Sequence, residues 1–194
     1  MISGYRSMIQ TEIDQIEEAL NGLIQIVPGM IDKKYSELES KLTQEIKDNT
    51  ALIDQIQEQK QWMKLEFRYS MVMLICSYAE SLMKKMALYV QVKNPEEKSR
   101  QKKIKRFYNG IKQISDDILK SLPEITTQWS NIDEFFDKRN IIAHGLDDDI
   151  IYETNITVEE HEILTALNGA YKLLRETANA VEKYKANNRT KSIL

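Results

Sequence analysis

Apolar residues recur at helical spacing along almost the whole chain. Ile9, Ile13, Ile16, Leu20, Leu23 and Val27 stand three or four apart, with Glu and Gln between them, and predict an amphipathic helix. Pro28-Gly29 predicts its end, because proline lacks an amide N–H and crowds the preceding turn. A second stripe of Ile31, Tyr35, Leu38, Leu42 and Ile46 fades at Asp48-Asn49-Thr50. The two stripes read as a helical hairpin or coiled-coil segment.

A third, very long helix is predicted from about Thr50. Its seam runs through Ile56, Met63, Phe67, Met71, Leu74, Tyr78, Leu82, Met86 and Tyr89. Between Met71 and Val90 it is apolar almost all round, which implies burial on several sides. Pro95 marks its end. A fourth helix is expected from about Lys102 to Leu122, stopped by Pro123. Ser130 is the expected N-cap of a fifth, with Asp133 and Glu134 in its first turns and Gly145 in the C-cap place. Thr157 and Glu160 predict a capping box for the last helix, which runs to about Tyr184 through Ile163, Leu167, Tyr171, Leu174, Ala178 and Val181.

No strand-like alternation of useful length interrupts this pattern, so the expected class is all-α. The expected architecture is an up-and-down helical bundle over residues 66–186, an N-terminal helical hairpin or coiled-coil extension over 1–65 and a flexible tail over 187–194.

Composition narrows the chemistry. Hydrophobic residues make up 42% of the 194, enough for a substantial core. The formal net charge of -3 means that contact with a nucleic acid requires a local basic patch. The segment Lys98–Arg106 offers one, with Lys102, Lys103, Lys105 and Arg106 as candidate RNA contacts; a solvated helix start accounts for it equally well. Cys76 is the single cysteine, which excludes a disulfide framework, and two histidines without a Cys pair suggest no zinc site. No cofactor is expected. The apolar run Met71–Tyr78 is too short to span a bilayer, and the first residues lack a signal-peptide core. A soluble, cytoplasmic protein without membrane contact is the expectation.

The chemistry-bearing string is Arg139-Asn140-Ile141-Ile142-Ala143-His144-Gly145. Arginine grips a phosphate with a planar fork of donors, and histidine exchanges protons near neutral pH. Arg139 lies four residues after Phe135 and three after Phe136, hence on the apolar face, where its charge needs a partner or a wet cleft. Asn140 and His144 are four apart and share a face, so the amide could orient the imidazole. Arg139 and His144 lie roughly 140° apart on an ideal helix and converge poorly in one chain. A two-fold axis would pool both residue types in one groove. In the structural alternative, Arg139 pairs with Glu80 or Asp133 and His144 merely ends a helix favourably.

The string resembles the R-x(4–6)-H motif of the HEPN superfamily, with the polar residue that family favours after the arginine. Ser77-Tyr78-Ala79-Glu80-Ser81-Leu82 is similar to the acid-bearing early core helix of many members. The resemblance covers roughly residues 66–186. It implies a dimeric helical bundle with metal-independent endoribonuclease activity, often in toxins or defence effectors. His144 would then be general acid or base, Arg139 would bind the scissile phosphate, Asn140 would orient either, and Glu80 would support Arg139. Leu146 stands where members regulated by nucleotidyltransferases often carry tyrosine. The N-terminal helices would serve dimerisation or an antitoxin or defence-system partner. The alternative is a non-catalytic HEPN-like helical module for protein interaction or nucleotide binding.

Overall fold

In a computed structural model the described residues form six helices: α1 (Ser3–Glu45), α2 (Thr50–Tyr89), α3 (Lys103–Lys112), α4 (Asp116–Ser121), α5 (Thr127–Gly145) and α6 (Glu160–Lys191). The structure describes residues 3–45, 50–92, 102–114, 116–122, 124, 127–145 and 157–191. Every regular element among them is helical, and none is long and apolar enough to cross a membrane.

α2 organises the molecule. α1 and α6 pack on it and on each other, α3 and α5 also contact it, and α5 packs in turn on α6. Met71, Val72, Ile75, Cys76, Ala79, Leu82, Met83 and Met86 are buried along α2, as its all-round apolar character requires. α6 contributes Leu167, Tyr171 and Leu174, all fully buried.

The expected break at Pro28-Gly29 is absent, and α1 is one helix with Pro28 inside it. Proline in a helix interior costs about 3 kcal/mol and the adjacent glycine about 1 more. Leu20 and Ile24 before the pair, and Ile31 and Tyr35 after it, are all buried on one continuous face. Each such burial is worth about 1.5–3 kcal/mol, so packing outweighs the local penalty. The hairpin therefore forms between α1 and α2, not within residues 1–46. Nor is the main core confined to residues 66–186, because Ile9, Ile13, Leu20 and Ile24 belong to it. A second, smaller cluster of Ile31, Tyr35 and Ile56 joins α1 to the front of α2, flanked by Val27, Leu42 and Phe67.

Three other boundaries moved. The fourth helix is split into α3 and α4: Ile114 N–H bonds the Ile111 carbonyl, tightening the end of α3, and α4 then buries Ile118. Within α3, a β-carbon at Gly110 would lie 2.6 Å from Val92 Cγ1, so this close approach depends on glycine. α5 begins at Thr127, and Ser130 lies inside it; no breaker stands between Pro123 and Asp133 to delay the start. α6 continues to Lys191, through most of the expected tail, with Ala178, Ala180 and Val181 buried along the way.

α2 ends before Pro95 by a Schellman motif. Val92 N–H reaches the Ala87 carbonyl and Gln91 N–H the Leu88 carbonyl, each at 2.9 Å. Gln91 takes φ 61°, a left-handed conformation that costs a side-chain-bearing residue about 1 kcal/mol. Gln91→Gly is therefore expected to raise stability by about 0.5–1 kcal/mol, read from the urea midpoint at unchanged slope.

The start of α6 departs from the expected Thr157/Glu160 box. The reciprocal bond runs two residues later, from Glu159 N–H to Glu162 Oε2 at 2.7 Å. Lys138 of α5 donates to Glu162 Oε1 and to the Thr157 carbonyl, tying the two helices together. Burial pushes the Glu162 carboxyl up, but the Glu159 amide and Lys138 together hold it below the ordinary glutamate range. A lowered folded pKa stabilises above the unfolded value and is lost as pH falls through the folded one. Glu162→Gln should cost about 0.5–1 kcal/mol at neutral pH and almost nothing in acid, measured by thermal unfolding across pH.

Candidate functional site

The site is built on α5. Ile132, Phe135, Phe136 and Ile142 are buried and fix the rotation of this helix against α2 and α6. That rotation puts Arg139 at the margin of the buried face. Its Nη2 donates to Glu80 Oε1 of α2 at 2.9 Å, with the two side chains only 18% and 15% exposed. The guanidinium carbon lies 5.2 Å from the centre of the Phe136 ring. Arg139 Nε is buried without a hydrogen-bond partner among the described residues. Glu80 is the first of the two partners anticipated for Arg139; Asp133 is engaged elsewhere.

Glu80 also faces a second cation. Its Oε2 lies 3.7 Å from Lys103 Nζ, and the Lys103 side chain is 59% exposed. Arg139, Glu80 and Lys103 thus form a plus–minus–plus array with one net positive charge.

Lys102, next in the chain, is used differently. Its Nζ sits 3.1 Å from Asp133 Oδ1 and 2.8 Å from Asp137 Oδ2, and it also donates to the Asp133 carbonyl. This side chain fastens α3 to α5 and has little left for a phosphate. Lys105 is half-buried. Arg106 is half-buried too, with its guanidinium carbon 5.2 Å from the Phe107 ring centre and Nε buried. Of the four expected RNA contacts, Lys103 is the most open to solvent. Residues 98–101, and the Leu146 position, lie outside the described residues.

Asn140 and His144 are exposed, on one face of the final turns of α5. No hydrogen bond joins their side chains. Ile141, between them, is also exposed. Arg139 therefore turns to α2 while His144 turns to solvent, as the angular spacing anticipated. One chain holds the guanidinium and the imidazole on different sides of α5.

Cys76 lies near the array but is chemically quiet. Its Sγ is 4.0 Å from the Phe135 carbonyl, and burial pushes the thiol up to about 12, against a smaller opposing effect of Arg139. Such a thiol is protonated at neutral pH and a poor nucleophile. His161 is exposed at the start of α6. Among the described residues, no group of three or more His, Cys, Asp or Glu side chains is arranged to hold a metal ion.

Comparison of the chain with protein-family models, curated proteins and solved structures finds no match.

Proposed function

We propose that this chain is a metal-independent endoribonuclease of the HEPN type, a toxin or defence effector working in the cytoplasm as a homodimer. Its four-helix core would be α2, the α3–α4 pair, α5 and α6. The observation that carries the reading is the division of labour on α5. Arg139 is held in place by a carboxylate and an aromatic ring, while His144 and Asn140 are exposed on the surface. A two-fold axis beside the end of α5 would bring the His144 face of one subunit to the Arg139 margin of the other. Exposed Ile141 gives that contact an apolar element.

In such a groove His144 would take the proton of a ribose 2′-OH as its oxygen attacks the adjacent phosphorus. The 2′-O–P bond forms and the P–O5′ bond breaks. The products are a 2′,3′-cyclic phosphate and a 5′-OH that receives a proton. Arg139 retains donors beyond the one on Glu80 and would neutralise charge building on the phosphoryl oxygens. Asn140 would hold the phosphate or the imidazole, and Lys103 would draw the RNA backbone toward Arg139.

Mixing two inactive variants tests this arrangement. Arg139→Ala and His144→Ala dimers should each fail to cleave RNA, and subunit exchange should restore part of the activity by joining an intact Arg139 with an intact His144. A folded wild-type dimer that leaves RNA uncut with or without chelator would overturn the reading.

The Arg139–Glu80 pair itself favours a second reading. A guanidinium already paired with a carboxylate is also what a purely structural tie requires, as in a non-catalytic helical module. Expression in bacteria separates the two: the nuclease should slow growth and His144→Ala should relieve it, whereas the module should be equally benign in both forms.

A further inference from the structure

α1 carries a second apolar stripe that no other described element covers. Leu23, Ile26 and Met30 are 41%, 60% and 63% exposed. Their three- and four-residue spacing sets them on one face, roughly 110° around the helix from the buried row of Leu20, Ile24 and Ile31. Among the described elements α1 contacts α2 and α6 alone, and neither reaches over this face. Ala19, also exposed, extends the stripe to about 16 Å along the helix.

Two exposed charges of opposite sign flank the stripe, Glu18 before it and Lys33 after it. The other acids are instead paired within the chain, Glu12 with Lys85, Asp14 and Glu17 with Arg175, and Asp32 with Lys60 and Lys64. Glu18 and Lys33 are exposed, lie on the same edge of the stripe and stand about two turns to either side of Ile26. A helix running antiparallel across Ile26 would therefore meet Glu18 with a basic residue and Lys33 with an acidic one. α1 itself is such a helix. A parallel copy would instead set Glu18 level with Glu18 and Lys33 level with Lys33, which is repulsive.

We infer that the occupant of this face is α1 of a second copy, antiparallel, with a two-fold axis near Ile26. Leu23 and Met30 would flank the axis, and two Glu18–Lys33 pairs would close its ends. A self-complementary patch is what a two-fold contact demands. This contact is separate from the one proposed at α5, because α1 and α5 do not touch. It does not depend on the ribonuclease reading. Where both contacts form, the chain assembles beyond the dimer.

Sedimentation of the purified full chain over a wide concentration range tests the inference. The wild type should associate reversibly. Ile26→Asp should weaken association by about tenfold or more and remove one level of assembly. Glu18→Lys or Lys33→Glu alone should weaken it by about threefold to tenfold, and the double reversal should restore it. Both charges are exposed, so these variants should keep the fold, with circular dichroism as the check. Wild-type sedimentation unaffected by Ile26→Asp, or a double reversal weaker than either single one, would overturn the antiparallel pairing. An α5 dimer that survives Ile26→Asp and still cleaves RNA would leave the ribonuclease reading intact.

Discussion

His144→Ala should lower RNA cleavage by about 10²–10⁴-fold, the usual cost of removing a general acid or base. Thermal stability should move by only about 0.5 kcal/mol, because the side chain is exposed and contributes little to packing. This pairing of a large kinetic loss with a silent melting curve separates a catalytic group from a structural one. A His144→Ala protein that folds and cleaves at the wild-type rate would remove the chemical basis of the proposal.

Arg139→Ala should behave differently, with a large effect on stability as well as on activity. Truncation leaves Glu80, only 15% exposed, with Lys103 as its remaining counter-ion at 3.7 Å. Breaking a fully buried pair typically costs about 3–5 kcal/mol; partial exposure here brings the expectation to about 2–3. The stacking of the guanidinium on Phe136 is lost as well. Glu80→Gln retains a carbonyl oxygen for Arg139 and should cost less, about 1 kcal/mol. In the Glu80→Ala/Arg139→Ala double variant the loss should fall short of the sum of the two single losses, because neither charge is then stranded. Urea unfolding of the four proteins gives the coupling directly. An additive cycle would show that the 2.9 Å contact contributes nothing to stability.

Much of this site was legible in the sequence. The position of Arg139 relative to Phe135 and Phe136 forced a charged group onto an apolar face, and Glu80 was one of two acids anticipated for it. The angular gap between Arg139 and His144 follows from their spacing and survives in the fold. The role of Lys102 was not legible. Its partners Asp133 and Asp137 lie on α5, and nothing within α3 distinguishes Lys102 from Lys103, which points elsewhere. Basic residues in a row look alike until packing assigns each a direction.

The fold shows the same division. Periodicity located most of each buried row, but Leu23, Leu38, Met63 and Tyr78, which it set on those rows, are exposed, while Ile24, Ile75 and Met83 are buried. It failed where local cues opposed tertiary packing. Pro28-Gly29 is a strong stop signal, yet the rows on either side of it are in phase and share the α2 surface. At the end of α2 no glycine takes the left-handed position and Pro95 stands beyond the turn, and Gln91 adopts the strained conformation so that Val92 can fold back against the core. The α6 start slipped by two residues because Glu162, held by Lys138, outcompeted the box written in Thr157 and Glu160.

The small cluster of Ile31, Tyr35 and Ile56 gives the molecule two tiers of cohesion. Every buried residue in it comes from α1 or α2, whereas the main cluster draws on all six helices. The distal part of the helix pair can thus open without the bundle opening. Its amide protons should trade with deuterium through local fluctuations long before those of Leu82 or Leu167 do. Because α1 and α2 run unbroken from one tier to the other, whatever grips the outer tier stiffens the helix that carries Glu80.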